Sequence, residues 1–102
     1  MNGAGAKLSS EALLILTSLA EGPKHGYAIQ QDIARMSGRQ LGPGSLYGSI
    51  ARLEAAGFIA PLELEGKKRP YRLTPSGSRA LADEVGALRK LTATAARRLA
   101  LR

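Results

Sequence analysis

The residues best suited to chemistry on a partner molecule lie in one amphipathic stretch, Gly44 to Phe58. Its apolar residues recur every three or four positions, as on one face of a helix: Leu46, Ile50, Leu53 and Ala56. Ser45, Ser49 and Arg52 fall on another face, and Tyr47 lies on the flank. Hydroxyl and guanidinium groups donate hydrogen bonds to phosphates and to base edges. We therefore expect this polar face to enter a groove of DNA.

The sequence leaves a second interpretation open for Arg52, Tyr47, Gly44 and Ser45. Arg52 is the one long cation of the stretch, and it either reaches DNA or pairs with an acid near Glu54 or at Glu63. Tyr47 either bonds to phosphate or packs as a half-buried ring. Gly44 lets the backbone approach a partner closely, while Ser45 is also a candidate helix cap.

The composition argues against an enzyme. The chain has no cysteine and one histidine, which excludes thiol catalysis, disulfides and thiolate metal sites. No acidic cluster indicates a metal site, and the sequence implies no cofactor. The glycine-rich segment Gly42 to Ser45 lacks the lysine of a phosphate-binding loop, so we interpret it as a turn.

The charge distribution favours an anionic partner. The net charge is +7 and the pI is near 10.4, which for a small domain is typical of nucleic-acid binding. Residues 1 to 44 carry four basic and three acidic groups, whereas residues 45 to 102 carry eleven and five. The basic excess therefore lies in the second half of the chain.

Three short helices are predicted in the first half. Ser9 or Ser10 caps a helix that runs to about Ala20, and a second helix extends from the region of His25 to Met36. A turn rich in glycine then leads into the stretch that begins at Gly44, and Gly57 permits the left-handed conformation that ends it. Three consecutive helices with a polar face on the last are typical of a helix-turn-helix reader.

A basic hairpin is predicted after the third helix. Leu62 and Leu64 alternate with a polar residue, as do Tyr71 and Leu73, which is the period of strands with one buried face. The loop between them contains three consecutive cations: Lys67, Lys68 and Arg69. We interpret the hairpin as a wing whose cations lie in or along the minor groove. The alternative is a solvated hairpin whose charges only prevent edge-to-edge pairing.

A long helix is predicted from Pro75, with Thr74 as its cap, to about Leu101. A heptad seam of alternating four- and three-residue steps runs along it: Leu81, Val85, Leu88, Thr92, Ala95 and Leu99. A helix of about 40 Å is too long for so small a body to cover. We therefore predict a homodimer through this seam, with a helix folded back on its own domain as the alternative.

Together these motifs resemble the PadR family of winged helix-turn-helix transcriptional regulators. The resemblance rests on four segments in this order: His25-Gly26-Tyr27, Gly44 to Tyr47, Arg52 to Glu54 followed by Gly57-Phe58-Ile59, and Tyr71 to Pro75 with Gly77. It extends over roughly Leu8 to Leu81. It implies a mainly α fold with a small β-hairpin wing, divided into a flexible tail (1–7), a winged helix-turn-helix domain (8–74) and a dimerisation helix (75–102).

The resemblance further implies a cytoplasmic, homodimeric repressor on a palindromic operator, with Tyr27 beside the DNA backbone. The chain resembles the compact branch of the family, some members of which bind planar aromatic drugs against a tryptophan of the last helix. This chain has no tryptophan, which argues against that pocket and leaves any small-molecule effector unidentified. The alternatives are a protein-interaction module that pairs through the last helix and a winged helix that binds RNA.

Overall fold

The computed structural model describes residues 8 to 100, which form four helices and a three-stranded antiparallel sheet. In chain order the elements are α1 (Ser10–Leu19), β1 (Lys24–His25), α2 (Gly26–Ser37), α3 (Pro43–Ala55), β2 (Ile59–Pro61), β3 (Pro70–Leu73) and α4 (Pro75–Arg98). The predicted fold class, mainly α with a hairpin wing, is confirmed. The tail predicted for residues 1 to 7 lies outside the described residues.

Local capping chemistry sets most of the helix ends. The Ser9 hydroxyl accepts a hydrogen bond from the Ala12 N–H at 3.1 Å and so caps α1. Gly38 and Gly57 adopt φ values of 74° and 82°, the left-handed conformation in which α2 and α3 end. The start predicted for α3 is wrong by three residues, because Pro43 occupies its first turn and Gly42, not Ser45, is the N-cap.

The hydrophobic core is aliphatic, as the composition predicts. Its members come from α1, α2, α3, the α2–α3 loop and β2: Ala12, Ile15, Leu16, Leu19, Ile29, Ile33, Leu41, Leu46, Ile50, Leu53 and Ile59. Phe58 and Tyr71 are only partly buried against it. Ala56, which was predicted on the buried face of α3, is exposed because the helix ends there.

The sheet has the order β1-β3-β2, and two features of it differ from the prediction. The strand expected at Leu62 to Leu64 lies earlier, at β2, where Ile59 pairs with Leu73. Leu62 still donates its N–H to the Pro70 carbonyl at 2.8 Å, but Leu64 is exposed on the arm of the wing. β1 was not predicted, because two residues are too few to show a strand period.

A set of contacts at Thr74 fixes α4 against the end of α3. The Thr74 hydroxyl donates to the Gly57 carbonyl at 2.7 Å and accepts the Gly77 N–H at 3.0 Å, while its N–H donates to the Phe58 carbonyl at 3.1 Å. Gly77 lies directly against Phe58, where no side chain would fit. The direction in which α4 leaves the domain is therefore set by the hydrogen bonds of Thr74 and by the close contact of Gly77 with Phe58.

Beyond its first turns α4 extends away from the body. Within Pro75–Arg98, Gly77 is the only buried residue, and by its rise the helix is about 36 Å long. The described part of the molecule measures 52 × 32 × 22 Å. In residues 8 to 100 no helix combines the length and the apolar character that crossing a membrane requires.

Substitution of two glycines of α4 tests this junction. In Gly77→Ala the new Cβ would lie 2.9 Å from both the Phe58 carbonyl carbon and Leu73 Cδ1, so we expect the free energy of unfolding to fall by about 1 to 3 kcal/mol. Gly86→Ala is the control, because a Cβ there meets nothing within 4 Å and should stabilise the helix by about 0.5 to 1 kcal/mol. Urea unfolding at one protein concentration measures the free energy of unfolding of both variants. Equal stabilisation by the two substitutions would contradict the close contact between Gly77 and Phe58.

Candidate nucleic-acid interface

The outer surface of α3 begins with a turn that has no side-chain cap. The N-cap Gly42 offers no side-chain hydrogen bond, and Gly44 and Ser45 follow it as exposed residues. The first N–H groups of a helix have no intrahelical acceptor, and they carry the positive end of the helix dipole. Gly44 and Ser45 are thus placed where their backbone N–H groups can donate to an anion.

Ser49 does not lie on this outer surface. Its side chain is 3% exposed, so the expectation that it faces outward with Ser45 and Arg52 is wrong. Leu46, Ser49, Ile50 and Leu53 occupy helical positions i, i+3, i+4 and i+7, and the whole stripe turns toward the core. Direct contact between the Ser49 hydroxyl and a partner molecule is therefore blocked by burial.

Arg52 is exposed and leans back along α3. Its Nη2 donates to the Ser49 hydroxyl at 3.0 Å. A Cβ added at Gly48 would lie 3.6 Å from Arg52 Nη1, which places the guanidinium over that turn of the helix. Among residues 8 to 100 Arg52 forms no ion pair, so the predicted alternative of pairing with an acid near Glu54 or at Glu63 does not occur.

The start of α2 and the middle of α3 meet at a glycine and a tyrosine. Gly26 is buried, and a side chain there would overlap Tyr47, whose Cζ would lie 2.6 Å from the new Cβ. Tyr47 is nevertheless 50% exposed and Tyr27 is 60% exposed. The Tyr27 hydroxyl accepts from Gln31 Nε2 at 3.2 Å. Gly26 was not among the predicted site residues, because its role depends on a residue far along the chain.

The wing lies next to these tyrosines. In the β1–β3 ladder Lys24 pairs with Tyr71 and His25 with Pro70, so α2 begins beside the base of the hairpin. Burial of the Tyr71 ring raises the pKa of its phenol, and the charge of Glu54 raises it further while Arg69 lowers it. The phenol therefore stays protonated near neutral pH, within electrostatic reach of both α3 and the wing.

The tip of the wing is a tight turn that presents two exposed lysines. Glu65 and Lys68 exchange backbone hydrogen bonds at 2.7 and 3.0 Å, and Gly66 adopts a φ of 64° between them. Positive φ at the first central residue is the geometry of a hairpin turn. Lys67 and Lys68 are exposed, whereas Arg69 Nη1 donates to the Leu62 carbonyl at 2.7 Å and thereby braces the arm.

The ion pairs are confined to the first half of the described chain. All four ion pairs found within residues 8 to 100 involve Lys24, Arg35 or Arg39, which precede α3. The cations of α3, the wing and α4 have no carboxylate within pairing distance in that part of the chain. The cations of α3 and the wing are thus free of ion pairs within residues 8 to 100.

The predicted seam of α4 divides into a covered end and an open end. Leu81 is half-buried against the core of its own chain, whereas Val85, Leu88 and Leu99 are exposed. Thr92 and Ala95 are exposed as well, and the Thr92 hydroxyl donates to the Arg89 carbonyl at 3.1 Å. Leu91, which is 65% exposed, widens the stripe and was missed because it lies one position off the heptad.

A helix-turn-helix pair, a basic β-hairpin after its second helix and a protruding C-terminal helix define a winged helix-turn-helix DNA-binding protein. Residues 15–83 match the transcriptional regulator PadR-like family. The chain belongs to this family of transcriptional regulators. Regulators of the PadR family bind DNA and typically dimerise.

Two relatives and one solved structure illustrate the match. The chain is 37% identical over 82 residues to the transcriptional regulator Rv3488 of Mycobacterium tuberculosis, with 78% of this chain and 76% of that protein covered. It is 50% identical over 80 residues to an uncharacterised 37.1 kDa protein of transposon TN4556 from Streptomyces fradiae, covering 78% of this chain. The chain spans only 23% of that protein's length.

The solved structure is that of a PadR family transcription regulator from Clostridium difficile R20291. It superimposes with a TM-score of 0.81 at 21% identity, covering 89% of this chain and 99% of that one. This likeness shows that the two chains share a fold.

Proposed function

We propose that the chain represses transcription as a homodimer that binds a palindromic operator in double-stranded DNA. The observation that carries the proposal is the set of exposed cations on α3 and the wing that form no ion pair within residues 8 to 100, beside a cluster of exposed hydrogen-bonding groups. A surface of this kind fits the phosphate backbone, which dominates the affinity of DNA-binding proteins. The same groups on α3 can also reach base edges.

The parts of the surface have different roles in the proposal. Gly44 and Ser45 donate backbone N–H groups to a phosphate at the start of α3, and the hydroxyls of Tyr27 and Tyr47 bond to the neighbouring backbone. Arg52 contacts a base edge in the major groove. Lys67 and Lys68 lie along the minor groove, with Arg69 bracing the wing, and supply affinity more than sequence choice.

The dimer joins two such surfaces through α4. The exposed seam from Val85 to Leu99, with Leu91 beside it, offers an apolar stripe that a second α4 would cover. Thr92 fits such a seam because its hydroxyl is already bonded within the helix. A symmetric pair of recognition helices reads a palindrome, because the symmetry of the operator mirrors that of the dimer.

The salt dependence of DNA binding tests the wing. The affinity of the dimer should fall steeply with salt, and Lys67→Ala/Lys68→Ala should flatten the slope of log K against log salt by about two to four. Arg89→Ala/Lys90→Ala removes the same charge from the middle of α4, away from the wing, and should leave the slope unchanged. Fluorescence anisotropy with a labelled duplex measures both slopes. Equal slopes for the two double variants would show that the wing does not contact DNA.

Sedimentation tests the dimer. Leu88→Asp places a carboxylate in the centre of the seam, and burying an unpaired charge in a dimer interface is unfavourable. We therefore expect monomers and at least a tenfold loss of DNA affinity. Ala93→Asp makes the same charge change on the opposite, exposed side of α4 and should remain dimeric. Dimers that persist in Leu88→Asp at the same concentration would contradict the proposed interface.

A further inference from the structure

The hydrogen bond between Ser49 and Arg52 joins a buried residue to an exposed one. Two polar side chains are buried among residues 8 to 100, and they are Ser18 and Ser49. The Ser18 hydroxyl has no hydrogen-bond partner within that range, whereas the Ser49 hydroxyl accepts Arg52 Nη2 at 3.0 Å. Ser49 is therefore a fixed acceptor, and the guanidinium that it holds lies at the surface.

The guanidinium of Arg52 lies over the turn of α3 that contains Gly48. Long side chains of a helix lean toward its N-terminus, which brings the Arg52 head over the turn of Gly48 and Ser49. A Cβ placed at Gly48 would lie 3.6 Å from Arg52 Nη1, an ordinary van der Waals distance, so the guanidinium packs closely over this turn. Glycine inside a helix is less stabilising than alanine, so helix stability does not explain the glycine at this position.

A tethered arginine is better prepared to read DNA than a free one. An exposed arginine loses rotamer entropy when it is fixed on DNA, and the Ser49 hydrogen bond removes part of that loss before DNA arrives. The guanidinium has five N–H donors, and the bond to Ser49 uses one of them. The remaining donors suffice for a bidentate contact with the O6 and N7 atoms of guanine.

We propose that Ser49 is a positioning residue that acts through Arg52 and sets base preference at one position of each half-site. The inference rests on the proposed function, because it requires that α3 meets the major groove. Ser49 touches no DNA itself. Its hydroxyl holds the guanidinium over the turn that contains Gly48, so that one rotamer of Arg52 is presented to the base edge.

A double-mutant cycle tests the coupling. The probes are a duplex that the unmodified dimer selects from a randomised pool and a duplex of the same composition with shuffled sequence. Ser49→Ala should weaken binding to the selected duplex by about two- to tenfold, the worth of one hydrogen bond, and leave binding to the shuffled duplex unchanged. In an Arg52→Ala background the same substitution should have no further effect. Alanine is a strong helix former, so the variant keeps α3 intact.

Ser45→Ala is the matched control, because Ser45 is an exposed serine of the same helix and lies outside the Arg52 contact. Its effect should add to that of Arg52→Ala. Additive effects of Ser49→Ala and Arg52→Ala, or an equal loss on both duplexes, would overturn the inference.

A measurement without DNA separates the two proposals. In the free protein the Arg52 guanidinium should rotate slowly by nuclear magnetic resonance, and Ser49→Ala should speed this rotation. Failure of the unmodified protein to select any duplex would contradict the proposed function, while rapid rotation in the unmodified protein would contradict the tether alone.

Discussion

The hydrogen bonds of Thr74 are the constraint on which the rest of the structure depends. They join the connection between α3 and β2, at Gly57 and Phe58, to the first turn of α4 at Gly77. A change in that junction would alter the angle between α3 and α4. In a dimer that angle sets the distance between the two recognition helices, and with it the operator spacing that the protein accepts.

The second organising feature is the distribution of ion pairs, because within residues 8 to 100 the cations before α3 are paired and those from α3 onward are not. Lys24 illustrates the paired half, since its Nζ lies 2.7 Å from Glu21 and 3.8 Å from Asp32 and also donates to the Ser18 carbonyl. Such pairs hold the framework of α1, β1 and α2 together. The cations of the second half have no partner of this kind in residues 8 to 100, so their field is available to an anionic ligand.

Periodicity and capping residues were sufficient to predict four helices, an aliphatic core and a hairpin after α3, because helix and strand periods are local patterns. They did not fix the start of α3 or the position of β2. The features that the sequence did not reveal depend on tertiary contacts. Serine is a residue type usually found at the surface, but Ser49 lies three positions after Leu46 on the buried face of α3. Its burial follows from how α3 packs. The role of Gly26 follows from the position of Tyr47, and β1 exists only because β3 lies beside it.

The central claim is that two copies of this chain present α3 and the wing to one symmetric DNA site. Protection of the DNA that flanks this protein's own reading frame tests it most directly. The account predicts two protected half-sites related by two-fold symmetry, with centres about one helical turn apart, roughly 10 base pairs. A single unsymmetrical protected segment, or no protection of any duplex at low salt, would contradict it.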